Sequence, residues 1–154
     1  MDKKRENKKL IERYPFLLPW HRLTGKHPTE FDFGFTELDA MPDGWRVAFG
    51  EDICKEIMEE LVQNDCVDTY RILQIKEKYR ELHWYSQGGT ERIHREIVPK
   101  YEKMSRRICI KCGHPATLVS GGWISPWCNT CSDKMPHMDF VDIDDSFKPD
   151  EDDN

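Results

Sequence analysis

Three stretches of the chain space their apolar residues with a readable period, and each period predicts an element. In "EDICKEIMEELVQNDC" (51–66), Ile53, Cys54, Ile57, Met58, Leu61 and Val62 recur at i, i+1, i+4, i+5, i+8 and i+9, one stripe of a helix. Glu51 and Asp52 fall in its first turn, where they complement the dipole, and Asn64 with Asp65 ends it. Cys54 lies on the stripe and reads as a core thiol. In "TERIHREIVPKYEKMSRR" (90–107), Thr90 is a candidate N-cap, Ile93, Ile97, Tyr101 and Met104 keep helical spacing, and Pro99 predicts a kink. Between them, "TYRILQIKEKYRELHWYS" (69–86) is ambiguous. Ile72, Ile75, Tyr79 and Leu82 fit a helical face, but the β-branched and aromatic weight before Gly88 and Gly89 favours two strands turning at Lys78 to Arg80.

Outside these stretches the pattern weakens. Residues 3–13, "KKRENKKLIER", are good helix formers that end near Tyr14, ahead of Pro15 and Pro19. Their apolar content is slight, which predicts a solvated helix, with a basic arm for a polyanion as the sharper reading. From residue 17 to 45 the prolines, glycines and aromatics predict an ordered irregular segment docked through Phe31, Phe33, Phe35 and Trp45. A loop of that length often carries binding residues, here Trp20, His21 and Arg22.

The strongest chemical signal is "CIKCGHPATLVSGGWISPWCNTC" (109–131). Two Cys-x-x-Cys pairs fifteen residues apart supply four thiolates, Cys109, Cys112, Cys128 and Cys131, for one tetrahedral zinc ion. Gly113 suits the tight knuckle after the first pair, and the intervening stretch has room for two short strands around Gly121 and Gly122. The expected outcome is a zinc ribbon. Four cysteines close the coordination sphere, so the zinc reads as structural. His114 adjoins the knuckle as a substitute ligand, against its simpler reading as a surface residue. His94-Arg95-Glu96 with Pro126 and Cys128-x-x-Cys131 loosely matches the zinc nucleobase deaminases. That reading would leave Cys109 and Cys112 without a role, and Trp127 separates the proline from the cysteine.

At 154 residues the chain has room for one core and a metal-stapled satellite. The predicted class is α+β: a basic N-terminal helix or arm (1–14), a small helix and β-hairpin core (15–106), a C-terminal zinc ribbon (107–135) and a disordered acidic tail (136–154). The formal charge of -6 is concentrated at the end, where residues 139–154 hold eight acidic residues and one lysine. The remainder is near neutral, which disfavours nonspecific duplex binding. No apolar run is long enough to span a membrane, and the start lacks the apolar region of a signal peptide. Six cysteines in a reducing cytoplasm read as metal ligands and single thiols (Cys54, Cys66), not disulfides. No phosphate loop, H-E-x-x-H or G-x-S-x-G element is present, which argues against an enzyme.

Basic and aromatic residues interleave in two places, and the combination can neutralise a phosphate and stack a base. The candidates are Lys76, Lys78, Arg80, His83, Trp84 and Tyr85 on the hairpin, with Arg106, Arg107, Trp123 and Trp127 around the ribbon. The plainer reading packs alternate hairpin side chains inward and uses Trp123 or Trp127 as the ribbon's own small core.

"TELDAMPDGWRVAFGEDICKEI", "QIKEKYRELHWY" and "SRRICIKCGHPATLVSGGWISPWCNTC" together resemble a family of small bacteriophage and prophage proteins of unassigned function, over roughly residues 10–132. In that family glycine usually stands where this chain has Arg80, and some members have histidine where Cys131 stands, a swap of one zinc ligand for another. The resemblance implies a phage origin, a bacterial host cytoplasm and an accessory role. Such a protein would sequester a nucleotide or nucleic-acid ligand, a way to blunt host defence. Alternatively it would inhibit or redirect a host protein, with the acidic tail contributing. Self-association into a homo-oligomer is left open.

Overall fold

A computed structural model of the chain describes residues 2–28, 30 and 34–146, the last without its side chain. Helix α1 (Lys3–Arg13) starts on Asp2, whose carboxylate accepts from the Lys4 and Arg5 amides. It is docked instead of solvated. Leu10 and Ile11 are buried, and the buried Asn7 amide donates to Asp39 at 2.9 Å. Asp39 also accepts from the Thr36 amide at 2.9 Å, at the start of the short 3-10 turn Glu37–Ala40. Two apolar residues and one buried amide suffice to seat a helix whose other positions are charged.

The striped helix begins earlier than its pattern. A short α2 (Asp43–Trp45) runs through a π turn (Arg46–Gly50) into α3 (Glu51–Gln63), with the junction residues all in the right-handed helical region. Trp45, Phe49, Ile53, Ile57 and Leu61 are buried at every fourth residue. A strict four-residue repeat drifts around a 3.6-residue helix, and the wider π turn absorbs part of that drift. The rest appears at the far end, where Val62, expected on the stripe, is 62% exposed.

Residues 71–87 form a hairpin. Strands β1 (Arg71–Lys78) and β2 (Glu81–Gln87) pair antiparallel, with Ile75 opposite Trp84 and Lys76 opposite His83. Tyr79 and Arg80 form a two-residue turn with φ of +52° and +59°, the conformation that matches strand twist and that glycine adopts most easily. Ile72, Ile75, Leu82 and Trp84 face the core. Side chains occupy some of the outward backbone groups on each edge. The Leu82 and Trp84 amides donate to Ser105 Oγ at 2.8 Å and Glu102 Oε2 at 3.0 Å, and Trp20 Nε1 donates to the Ile72 carbonyl at 2.8 Å.

The second helix opens with a π turn (Ile93–Ile97) and continues as α4 (Val98–Ser105). Pro99 has no amide to offer the preceding turn, which accounts for the wide turn there. Ile93, Ile97 and Tyr101 are buried, whereas Met104 is 42% exposed. Thr90 does not cap with its side chain; its hydroxyl donates to Glu60 of α3. Trp45 docks as expected, but Phe35 is 66% exposed, and Phe31 and Phe33 lie outside the described residues.

The C-terminal unit is a three-stranded sheet in the order β4-β3-β5, comprising β3 (Leu118–Ser120), β4 (Pro126–Trp127) and β5 (Phe140–Asp142). A short α5 (Asn129–Ser132) follows β4 and a turn of α6 (Ile143–Ser146) follows β5. Residues 140–146 therefore depart from the expected disordered tail. Val141 pairs with Val119, and Ile143 packs with Ala116 and Val119 under the sheet. Residues 147–154 lie outside the described residues. Among the described residues no helix is long and apolar enough to cross a membrane.

Candidate metal centre and adjoining cleft

The four cysteine sulfurs converge. Their Sγ atoms all lie within 4.8 Å of one another, and Cys112 Sγ stands 3.5 Å from Cys128 Sγ. Tetrahedral zinc with bonds of about 2.3 Å places its sulfurs roughly 3.8 Å apart, so the cluster is close to the spacing that one metal ion requires. Cys109 and Cys128 are buried, and Cys112 and Cys131 are partly covered.

Local geometry fixes each pair. In the first knuckle the Gly113 amide donates to the Cys109 carbonyl and the Cys109 amide to the His114 carbonyl at 2.7 Å. Gly113 has a φ of +89°, which lets the chain turn back there. In the second, Cys128 precedes α5 and its sulfur accepts from the Cys131 amide. Burial pushes the Cys128 thiol up, but hydrogen bonds from the Cys131 amide and the neighbouring thiols outweigh it and bring it down to about 7. Burial and shared hydrogen bonds hold Cys112 and Cys131 above the usual thiol range. His114 Nδ1 lies 3.3 Å from Cys112 Sγ, beside the cluster.

The cluster is fastened to the core at Gly44. The Gly44 amide, an orphan donor in the first turn of α2, donates to the Ile110 carbonyl at 2.9 Å, and Trp45 Nε1 donates to the Ile108 carbonyl. A Cβ on Gly44 would stand 2.0 Å from the Cys109 carbonyl oxygen, and one on Gly113 would stand 2.6 Å from the Gly44 carbonyl oxygen. Backbone meets backbone here. "PDGW" reads as a turn, so the sequence signal for this contact is the glycine itself.

Between the hairpin turn and the ribbon sheet lies a cleft of about 630 Å³. Val119, Ile124 and Val141 form its apolar lining, and Tyr79, Arg80, Glu81 and Arg106 come from the core side. Arg106 pairs with Glu81 at 3.1 Å. At the rim, Glu77 joins the two walls: Oε1 accepts from the Arg80 amide at 2.9 Å and Oε2 from Trp123 Nε1 at 3.1 Å. Trp123 is 75% exposed yet held by that bond, and Tyr79 is 80% exposed.

The ten positions with basic or aromatic promise are thus scattered and do not form one site. Arg80 and Arg106 line the cleft and Trp123 stands at its rim. Lys76, His83 and Tyr85 sit together on the hairpin's outer face, with the His83 and Tyr85 rings stacked and the Lys76 ammonium 5.9 Å from the Tyr85 ring. Lys78 is exposed near Tyr79, and Arg107 pairs with Asp144 of α6. Trp84 and Trp127 are interior and present no face to a ligand. Trp84 donates to the buried Tyr70 hydroxyl, while Trp127 donates to Ser125 Oγ and packs edge-on to Phe140. Glu77, Tyr79 and Val141 were not anticipated at the site. The alternation of Val141 and Ile143 within the acidic run was the signal for the last of them.

Compared with family models, curated proteins and solved structures, the chain matches none of them.

Proposed function

We propose that the four cysteines hold one structural zinc ion and that the chain is a non-catalytic binding protein, whose zinc keeps the ribbon wall of the cleft against the core. The carrying observation is the juxtaposition at Gly44, where the first knuckle contacts the helix backbone directly. Four thiolates favour zinc, and with the sphere closed they leave no position for an activated water. Among the described residues this is the one cluster of its kind. The ligand class is a nucleotide or nucleic acid, supported by Arg80 and Arg106 in the cleft and by Trp123, which adjoins its lining residues Gly122 and Ile124. The resemblance to small phage proteins supports a phage origin, action in the bacterial host cytoplasm and a sequestering role against host defence. Native mass spectrometry with elemental analysis tests the metal: one zinc per chain is expected, and iron or no metal contradicts it.

A second reading has its own observation. Tyr79, Trp123, Ile124 and Val141 are large, exposed and gathered around one opening, a composition that also suits the centre of a protein interface. On that reading the protein covers a host protein through the same face.

A further inference from the structure

We infer that the cleft takes a free nucleoside phosphate, with its base against Trp123 and Tyr79 and its phosphates between Arg80 and Arg106. The inference deepens the binding-protein reading and rests on it.

Three features of the cleft select this ligand. Its volume, about 630 Å³, lies within the range of small-ligand sites. Trp123 is an exposed indole that does not swing freely, because its N–H is tied to a carboxylate whose other oxygen ties down the hairpin turn. An exposed aromatic face held in place is a stacking platform with its ordering cost already met, and stacking on it contributes about 1–3 kcal/mol per base. Two guanidinium groups from different elements, the turn and the end of α4, reach the same space, and guanidinium is the side chain best shaped for phosphate oxygens.

Charge then decides between a free nucleotide and a polymer. Glu81 faces Arg106, and Glu77 lies at the rim beside Arg80. The four groups sum to zero, so the site offers no continuous basic track for a strand of phosphates. What remains is a local anchor. A phosphate takes the guanidinium of Arg106 in competition with Glu81, and the apolar lining of Val119, Ile124 and Val141 covers the ring's edge. A short phosphate chain with an aromatic base satisfies both halves; pyrophosphate or a nucleoside alone satisfies one.

The test is isothermal titration calorimetry on the full zinc-loaded chain with ADP as the probe. Adenosine, pyrophosphate and a single-stranded dodecanucleotide are run in parallel. Saturable heat with ADP is expected, with adenosine and pyrophosphate each weaker by about tenfold or more. Arg106→Ala and Trp123→Ala should each weaken ADP by a similar factor while leaving metal content and melting temperature in place. Binding that survives Arg106→Ala combined with Trp123→Ala overturns the assignment of the site. Heat with the oligonucleotide but not with ADP overturns the free-nucleotide choice. A zinc-loaded chain that binds none of the probes overturns the nucleotide assignment and leaves the metal reading intact, whereas a chain found without metal overturns both.

Discussion

The helix and hairpin core and the ribbon stand side by side and are built on opposite principles. The core buries Trp45, Phe49, Ile53, Ile57, Tyr70, Leu82 and Trp84 in one continuous cluster. The ribbon's buried cluster is Ala116, Val119 and Ile143, with Trp127 folded over Phe140 nearby. Three small to medium apolar residues cannot offset the ordering of more than thirty others, so the ribbon's shape depends on its sulfurs. Apolar area distributes stability over many residues; a metal centre concentrates it in four.

The largest expected effect follows from removing that centre. Cys128→Ser, or a strong chelator, should unfold the ribbon, because structural zinc contributes folding free energy of order 10 kcal/mol. Two-dimensional NMR should then show residues 107–146 collapsing to unfolded shifts while the β1–β2 hairpin signals persist. Loss of both sets together would mean that the two regions are one cooperative unit. The converse variant is Ile57→Ala, which empties a fully buried site on α3. A loss of about 2–5 kcal/mol is expected in chemical denaturation, with zinc stoichiometry unchanged.

How much of this contrast could be read in the sequence depended on whether periodicity or charge dominated each stretch. The clustering of the four cysteines, the α3 stripe and a hairpin turning near Lys78 to Arg80 were legible because cysteine spacing, helical period and β-branched weight are local properties. The start at Asp43 was hidden, since Pro42, Gly44 and Gly50 all speak against a helix and only tertiary contact with the knuckle favours one. Strand β5 was hidden by its acidic neighbours. The fates of Trp84, Trp123 and Trp127, two buried and one exposed, depend on which way each strand or loop faces, and composition carries no such information.

The junction offers the next largest effect. Gly44→Ala forces a Cβ into the Cys109 carbonyl, and neither backbone has slack. A cost of about 2–3 kcal/mol and faster zinc loss to a chelator are expected, because the knuckle must shift. Wild-type zinc release would show that the core does not support the centre.

Acid should separate the regions further. Burial raises the Asp39 carboxyl, but hydrogen bonds from the Thr36 amide, Asn7 and Lys4 outweigh it and hold it below the usual carboxylate range. A lowered folded value means the ionised form stabilises the fold above pH about 4, and that contribution fades as the pH falls through the folded value. Asp39→Asn should therefore cost about 1 kcal/mol at neutral pH and flatten the stability profile below pH 4. On the proposed zinc reading the cysteine thiolates must take up protons to release metal, so the ribbon should fail at a higher pH than the α1 contact. Circular dichroism and zinc release followed in one acid titration check the order.

The smallest effect is a gain. Arg80→Gly relieves a side chain held at φ +59° and should leave stability equal or raise it by up to about 1 kcal/mol. If the cleft assignment is right, the same change weakens ADP.

The partly covered edges of the hairpin have a consequence beyond its own stability. An isolated two-stranded sheet ordinarily presents two rows of amides and carbonyls that invite a third strand from another molecule. Here Ser105 and Glu102 occupy the β2 amides that face outward, and Trp20 occupies an outward carbonyl of β1. Those positions are lost to templated strand addition, the usual route by which a small exposed sheet seeds aggregation. The hairpin is thereby kept from serving as a template at those positions.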